Sequence, residues 1–164
     1  MLLDTNVVSA FLRGKKPAVD EFVKALLATQ GLTISFVTQF ELRRGIEDLI
    51  LRGQGRRRKV ALLKFLDRCE VLGLDAGGGA GGNHAAELWA KARRHKPSIV
   101  FTDADLLIAA TASFHAQTLV TSEGGLVSNL RAIDVTDVRL LELDRGSDQF
   151  ELLRRSLGSG AGCR

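Results

Sequence analysis

Tyrosine is absent from the 164 residues, tryptophan occurs once, and eight phenylalanines supply the remaining aromatic rings. Most of those phenylalanines hold core-like positions. A sequence-reading platform for single-stranded nucleic acid, which needs exposed rings on which bases stack, is therefore not expected. Cysteine is scarce as well. Cys69 and Cys163 make neither a spaced metal pattern nor a disulfide framework, and both suit a reducing compartment. No apolar run reaches the length of a membrane span. Asp4 interrupts the apolar start at once, so no signal peptide is expected and the chain is expected to be cytoplasmic, with no membrane partner. His84, His95 and His115 follow no strand closely and lack ligand spacing, so they read as ordinary helix or surface histidines.

What is present is ordinary globular material, 45% hydrophobic and 26% charged. A single domain of this size buries most of its apolar surface without staples. The 23 Lys and Arg against 19 Asp and Glu leave a formal charge of +4, which permits a polyanionic partner without demanding one.

Neither an internal repeat nor a linker divides the chain. Residues 1–4 start a buried strand, and 6–13 read as a helix that Gly14 can terminate. Pro17 suits the first turn of a second helix over 18–29, whose Val19, Phe22, Val23, Leu26 and Leu27 recur at helical spacing. Residues 32–37 are rich in β-branched and aromatic types and read as a strand. Helices are predicted from Thr38 to about Arg52 and over 56–68, then a third strand over 71–74. The five glycines within 76–82 indicate a loop, and Asn83 is a candidate cap for the helix that follows. Thr102 or Asp103 opens an apolar helix through Ala112, and strands close the pattern at 118–121 and 138–143. This alternation implies a three-layer α/β/α sandwich around a mainly parallel five-stranded sheet. The domain spans 1–144. Residues 145–164 form a polar tail, with a possible short helix over 150–157 and expected disorder beyond it.

In such sheets the functional cleft lies beyond the carboxyl ends of the strands. Several acids are placed to reach it. Asp4 ends the first strand, Glu41 lies in the first turn after the second, Asp103 and Asp105 open the apolar helix, and Glu123 follows Thr121 by two residues. Carboxylates converging in a partly dry cleft repel by several kcal/mol, on the order of the Coulomb energy of close like charges. A divalent cation removes that penalty, and hard oxygen ligands select Mg²⁺ or Mn²⁺. Each acid also has a plainer reading. Thr38-Gln39-Phe40-Glu41 matches a capping box, and Asp105 stands at the same offset from Thr102. Acids in a first turn are also favoured by the helix dipole. Asp4 has no obvious duty beyond capping.

At this point the motifs resemble those of PIN-domain nucleases, especially VapC-type toxins of toxin–antitoxin pairs. Met1-Leu2-Leu3-Asp4-Thr5-Asn6-Val7-Val8-Ser9 looks like their opening. The segment Ile34-Ser35-Phe36-Val37-Thr38-Gln39-Phe40-Glu41-Leu42-Arg43-Arg44-Gly45-Ile46 is similar to their second motif. Asp105-Leu106-Leu107-Ile108-Ala109-Ala110-Thr111-Ala112 resembles the third, and Thr118-Leu119-Val120-Thr121 the strand before the fourth. The resemblance implies that Asp4, Glu41 and Asp105 bind Mg²⁺ or Mn²⁺ and carry catalysis, with Asp103 and Glu123 as weaker ligands. It also implies hydrolysis of RNA by a metal-activated water, a small antitoxin partner and a homodimer. The fourth motif departs from the commonest toxin pattern: Thr121-Ser122-Glu123-Gly124-Gly125 lacks the Asn after Thr and the Asp a few residues later. An alternative is thus a catalytically weak PIN-like module that binds antitoxin or RNA without turnover.

Basic residues gather at Arg43-Arg44, at Arg52, at Arg56-Arg57-Arg58-Lys59 and at Arg93-Arg94-His95-Lys96. Arg56, Arg57 and Arg58 follow a Gly-rich turn and are the candidates for phosphate contact, and Thr121 for orienting water or a carboxylate. The 93–96 run reads as a solvated helical face. A phosphoryl-transfer receiver or phosphatase would want a Lys after residues 118–121, where none stands. A dinucleotide-binding domain would want its glycines after the first strand, not at 77–82.

Overall fold

Leu2 and Leu3 make a strand of only two residues, yet both side chains are fully buried. Successive strand residues point to opposite faces of a sheet, so one of this pair packs on each side. In the computed structural model, which describes residues 1–14, 16–75 and 79–141, this strand (β1, Leu2–Leu3) is the centre of the sheet. Parallel neighbours flank it on both sides: β2 (Leu32–Ser35) and β4 (Leu119–Thr121). Adding β3 (Cys69–Leu72) beside β2 and β5 (Val138–Leu140) beside β4 gives the order β3-β2-β1-β4-β5. All four pairings are parallel.

Among the described residues seven helices cover the two faces: α1 (Thr5–Arg13), α2 (Pro17–Thr29), α3 (Phe36–Leu51), α4 (Arg56–Leu66), α5 (Ala80–Arg94), α6 (Asp103–Phe114) and α7 (Gly124–Ala132). Leu3, Ile34 and Val120 meet residues of α1, α2, α3 and α4, including Val8, Phe22, Leu42 and Phe65. Leu2 and Leu119 meet α5, α6 and α7 through Leu88, Ile108, Ala109 and Leu130. Two cores on opposite sides of one sheet are the three-layer α/β/α architecture predicted from the alternation of elements. Full burial of each such leucine or phenylalanine stabilises the fold by roughly 1.5–3 kcal/mol, which is why so short a central strand holds its place.

The helix signals at the start of the chain work as read. Gly14 ends α1 in the left-handed region at φ 61°, its amide donating to the Phe11 carbonyl. Pro17 opens α2. Other boundaries differ, each for a local reason. Strand β2 stops at Ser35 rather than Val37, because the Ser35 hydroxyl accepts the Thr38 amide at 2.9 Å and caps a helix that starts two residues early. Strand β3 begins at Cys69, two residues before the apolar stretch. On a sheet edge the backbone pairs with β2 while Glu70 and Val71 stay exposed, so apolarity is a poor guide to its start.

Helix α5 begins at Ala80, inside the Gly-rich stretch taken for a loop, and Asn83 lies within it rather than capping it. Gly81 is buried against the backbone of Leu74, and a methyl group there would collide with it. These glycines serve close approach as well as flexibility. Helix α7 carries no sequence prediction, since Gly124-Gly125 at its start hides its apolar face of Leu126, Val127 and Leu130. The tail predictions, 145–164, lie outside the described residues. No described helix is long and apolar enough to cross a membrane. Cys69 is half-buried, its thiol is pushed up to about 12 by burial, and its Sγ donates to the Phe65 carbonyl at 3.3 Å. It is an inert thiol.

Candidate active site

The strand order reverses at β1: the chain steps outward through β2 and β3 on one side, and through β4 and β5 on the other. Such a switch point opens a crevice at the carboxyl ends of the strands. Register fixes what lines it. Leu3 pairs with Ile34 and with Val120, so the next residues in each strand, Asp4, Ser35 and Thr121, end level with one another at this edge.

Asp4 is 3% exposed and caps α1. Its Oδ1 accepts the Thr5 amide at 2.6 Å, and its Oδ2 accepts the Thr121 hydroxyl at 2.7 Å. Burial pushes its pKa up to about 6, against the pull of those two hydrogen bonds, and the charges of Asp105 and Glu123 push the same way. Desolvation outweighs both donors, so in the metal-free protein the negative charge at this position is destabilising near neutral pH.

Thr121 is fully buried and acts as a hub. Its hydroxyl donates to Asp4 and accepts from Asn6 Nδ2 and from the Glu123 amide, each at 3.2 Å. Asn6 returns the link through Oδ1, which accepts the Ser122 amide at 3.2 Å. The end of β4 is thereby sewn to the start of α1.

Glu41 is half-buried on the second turn of α3 and approaches from the other side. Its Oε2 accepts the Thr5 hydroxyl at 2.6 Å, and Arg44 stands 3.6 Å from Oε1. The capping-box reading of Thr38–Glu41 is wrong, because Ser35 is the cap and Glu41 is left free for other work. The corresponding reading of Asp105 is right in part. Thr102 caps α6, accepting the Asp105 amide at 3.1 Å and donating to Asp105 Oδ2 at 2.7 Å. Asp105 nevertheless acts electrostatically on Asp4, as does Glu123, which is exposed at the cap position of α7. Asp103 is exposed two residues from Asp105, a spacing that puts the pair on different sides of the helix.

Among the described residues, no group of three or more His, Cys, Asp and Glu side chains stands together as a metal cage. The chemistry of the donors fits a hard divalent cation all the same. Asp4 meets the Thr121 hydroxyl and feels the charges of Asp105 and Glu123, with neither thiolate nor imidazole among its partners, and a cation relieves a buried acid influenced by two others. His84 meets Ser113 at 3.0 Å, His95 the Pro97 carbonyl at 2.9 Å and His115 the Gly73 carbonyl at 2.8 Å, all of which are structural contacts.

A groove of about 290 Å³ runs from Thr5 and Glu41 between α1, α3 and α4. Leu12, Ile46, Leu49 and Leu62 give it apolar walls, and Arg13 and Arg58 are its cations. Of the three arginines singled out in the sequence, Arg58 lines this groove; Arg56 and Arg57 are exposed beside it. Lys59 is engaged with Glu47 at 2.7 Å.

The profile of the PIN domain matches residues 1–128. The chain belongs to the PIN-domain family. All of Asp4, Glu41, Asp103, Asp105, Thr121 and Glu123 lie inside the matched PIN domain. Three solved structures are similar to it. VapBC2 from Rickettsia felis, bound to a DNA fragment from its promoter, is 20% identical with a TM-score of 0.71, over 86% of this chain and 98% of that one. FitAcB from Neisseria gonorrhoeae is 28% identical with a TM-score of 0.61, over 84% and 94%. A toxin–antitoxin complex from Klebsiella pneumoniae is 20% identical with a TM-score of 0.55, over 84% and 94%. At 20% identity the first and third establish the fold alone. No curated protein sequence matches the chain.

Sequence reading missed Thr5, Asn6, Ser35 and Thr38 as parts of this PIN-domain site. The available signal was the density of small hydroxyl and amide residues beside the acids at three strand ends.

Proposed function

We propose that this PIN domain is a Mg²⁺- or Mn²⁺-dependent endoribonuclease, the toxin of a toxin–antitoxin pair. One observation supports this most. A buried aspartate of raised pKa sits at the topological switch point, with Asp105 and Glu123 acting on its charge and Glu41 joined to it through Thr5. Asp4, Glu41 and Asp105 would hold the metal, with Asp103 and Glu123 at its margin. Bound there, the ion supplies charge neutralisation and a water of lowered pKa.

The chain's own residues do the rest. Thr121 and the Thr5 amide hold the two oxygens of Asp4 in fixed directions. Arg58 and Arg13 meet phosphates of an RNA strand lying along the groove. Hydrolysis adds water across a P–O3′ bond: the water oxygen joins phosphorus, O3′ leaves and takes a proton, and a 5′-phosphate and a 3′-hydroxyl result. The Arg58→Ala variant should bind RNA more weakly at every sequence and lower the salt slope of binding by about 1, the value of one phosphate contact. Arg57→Ala should change the slope less.

The antitoxin is assigned to the same groove, whose apolar walls suit a partner segment and whose end at Glu41 would then be covered. A second copy is assigned to the face where Phe36 (60% exposed) and Phe40 (53%) stand out near a cavity of about 470 Å³ lined by Val71, Leu74 and Leu107.

The test is cleavage of a mixed RNA with and without Mg²⁺ by wild type, Glu41→Gln and Asp105→Asn. Loss of a ligand should exceed the tenfold to hundredfold typical of second-sphere changes, so each variant should lose at least about 100-fold. Equal cleavage by wild type and both variants would overturn the proposal. Partner binding without any cleavage would favour the binding module that does not turn over.

A further inference from the structure

Three hydroxyl groups join the cap of α3 to the catalytic carboxylate of Glu41. Ser35 and Thr38 are fully buried. The Ser35 hydroxyl donates to Thr38 Oγ1 at 3.0 Å while accepting the Thr38 amide at 2.9 Å. Thr38 Oγ1 and Thr5 Oγ1 stand 3.4 Å apart. The Thr5 hydroxyl donates to Glu41 Oε2 at 2.6 Å. A hydroxyl carries one proton. The 2.6 Å contact commits that of Thr5 to Glu41, so its 3.4 Å contact with Thr38 Oγ1 is a weak one. Thr5 is thus backed on one side by the buried Ser35–Thr38 pair and donates on the other to the carboxylate. At its far end Thr5 also engages the first acid, through its amide on Asp4 Oδ1 at 2.6 Å. One residue therefore fixes a carboxylate oxygen of Asp4 and one of Glu41, although the two acids are brought together from β1 and α3.

We propose that Thr5 is a positioning residue for the metal-binding acids, backed by Thr38 and Ser35, and that its hydroxyl sets the affinity of the site for a divalent cation. The proposal rests on the nuclease reading above. Its logic is that of groups behind metal ligands generally: they orient the ligand without touching the ion, and their loss costs about tenfold to hundredfold in metal affinity. Thr5→Val is the discriminating change. Valine has the shape of threonine and keeps the amide that holds Asp4, so the hydroxyl alone is removed.

Mn²⁺ binding is measured by titration calorimetry on the metal-stripped full-length chain, alongside thermal unfolding without metal. Thr5→Val should bind Mn²⁺ about 10- to 100-fold more weakly, with a metal-free melting temperature close to that of wild type. Thr5→Ser, which restores the hydroxyl, should return binding to near wild type. Thr38→Val, one link further away, should have a smaller effect of the same sign. Wild-type affinity in Thr5→Val would overturn the inference while leaving the nuclease reading intact, and so would a Thr5→Ser variant as weak as Thr5→Val. Wild type that binds Mn²⁺ no better than an Asp4→Asn control would instead remove the nuclease reading on which the inference rests.

Discussion

Asp4→Asn should abolish metal-dependent cleavage and, at the same time, make the metal-free protein more stable at pH 7.5. The second half follows from the proton balance. The folded-state pKa, about 6, lies above the ordinary aspartate value of 3.8. The stability contributed by the protonated group is therefore complete below about pH 4 and is lost as pH rises through about 6. A gap of about two units corresponds to about 3 kcal/mol. Asparagine never ionises, keeps an oxygen for the Thr5 amide, and is as good a helix cap as aspartate. Its amide nitrogen is a poorer match for the Thr121 hydroxyl, which offsets the gain by about 1 kcal/mol. A net stabilisation of about 1–3 kcal/mol is expected at pH 7.5. That raises the melting temperature by several degrees in a chain of this size. The gain should vanish near pH 4. Melting curves across pH 4–8 without metal provide the check; a variant less stable than wild type at pH 7.5 would contradict the burial argument.

Thr121→Val should do more damage than its isosteric shape suggests. The substitution strips one buried hydroxyl of three partners: Asp4 Oδ2, Asn6 Nδ2 and the Glu123 amide. Each buried polar group left unsatisfied costs about 1–3 kcal/mol. Partial rescue by water at the mouth of the cleft brings the expected total to about 2–5 kcal/mol, a large share of the stability of a small domain. Thr121→Ser should cost less than about 1 kcal/mol, since it keeps every contact. Denaturant unfolding of the three proteins compares them directly, and equal midpoints for valine and threonine would show that the hub is not structural.

The sheet was legible because its strands are short, apolar and separated by helices with ordinary start and stop residues. The acids were legible as residues gathered at the carboxyl edge of the sheet, but not in the contacts that hold them. Asp4 follows an apolar strand and could hardly be anything but the end of it. Glu41 carried two readings, decided by whether Ser35 or Thr38 caps α3, and no local pattern distinguishes two hydroxyl residues three apart. The hub at Thr121 depends on Asn6, more than 100 positions away, and is set by register rather than by anything near Thr121 in sequence. Helix α7 escaped notice because paired glycines argue against helix in sequence, while packing of Leu126, Val127 and Leu130 overrides that preference in the fold.

Among the described residues the earliest strand in sequence is the middle strand of the sheet, hydrogen-bonded on one side to residues near 33 and on the other to residues near 119. During synthesis Asp4 accordingly lacks its Thr121 partner until a segment more than 100 residues further along the chain has been made. The buried geometry of Asp4 is thus withheld during synthesis by topology alone.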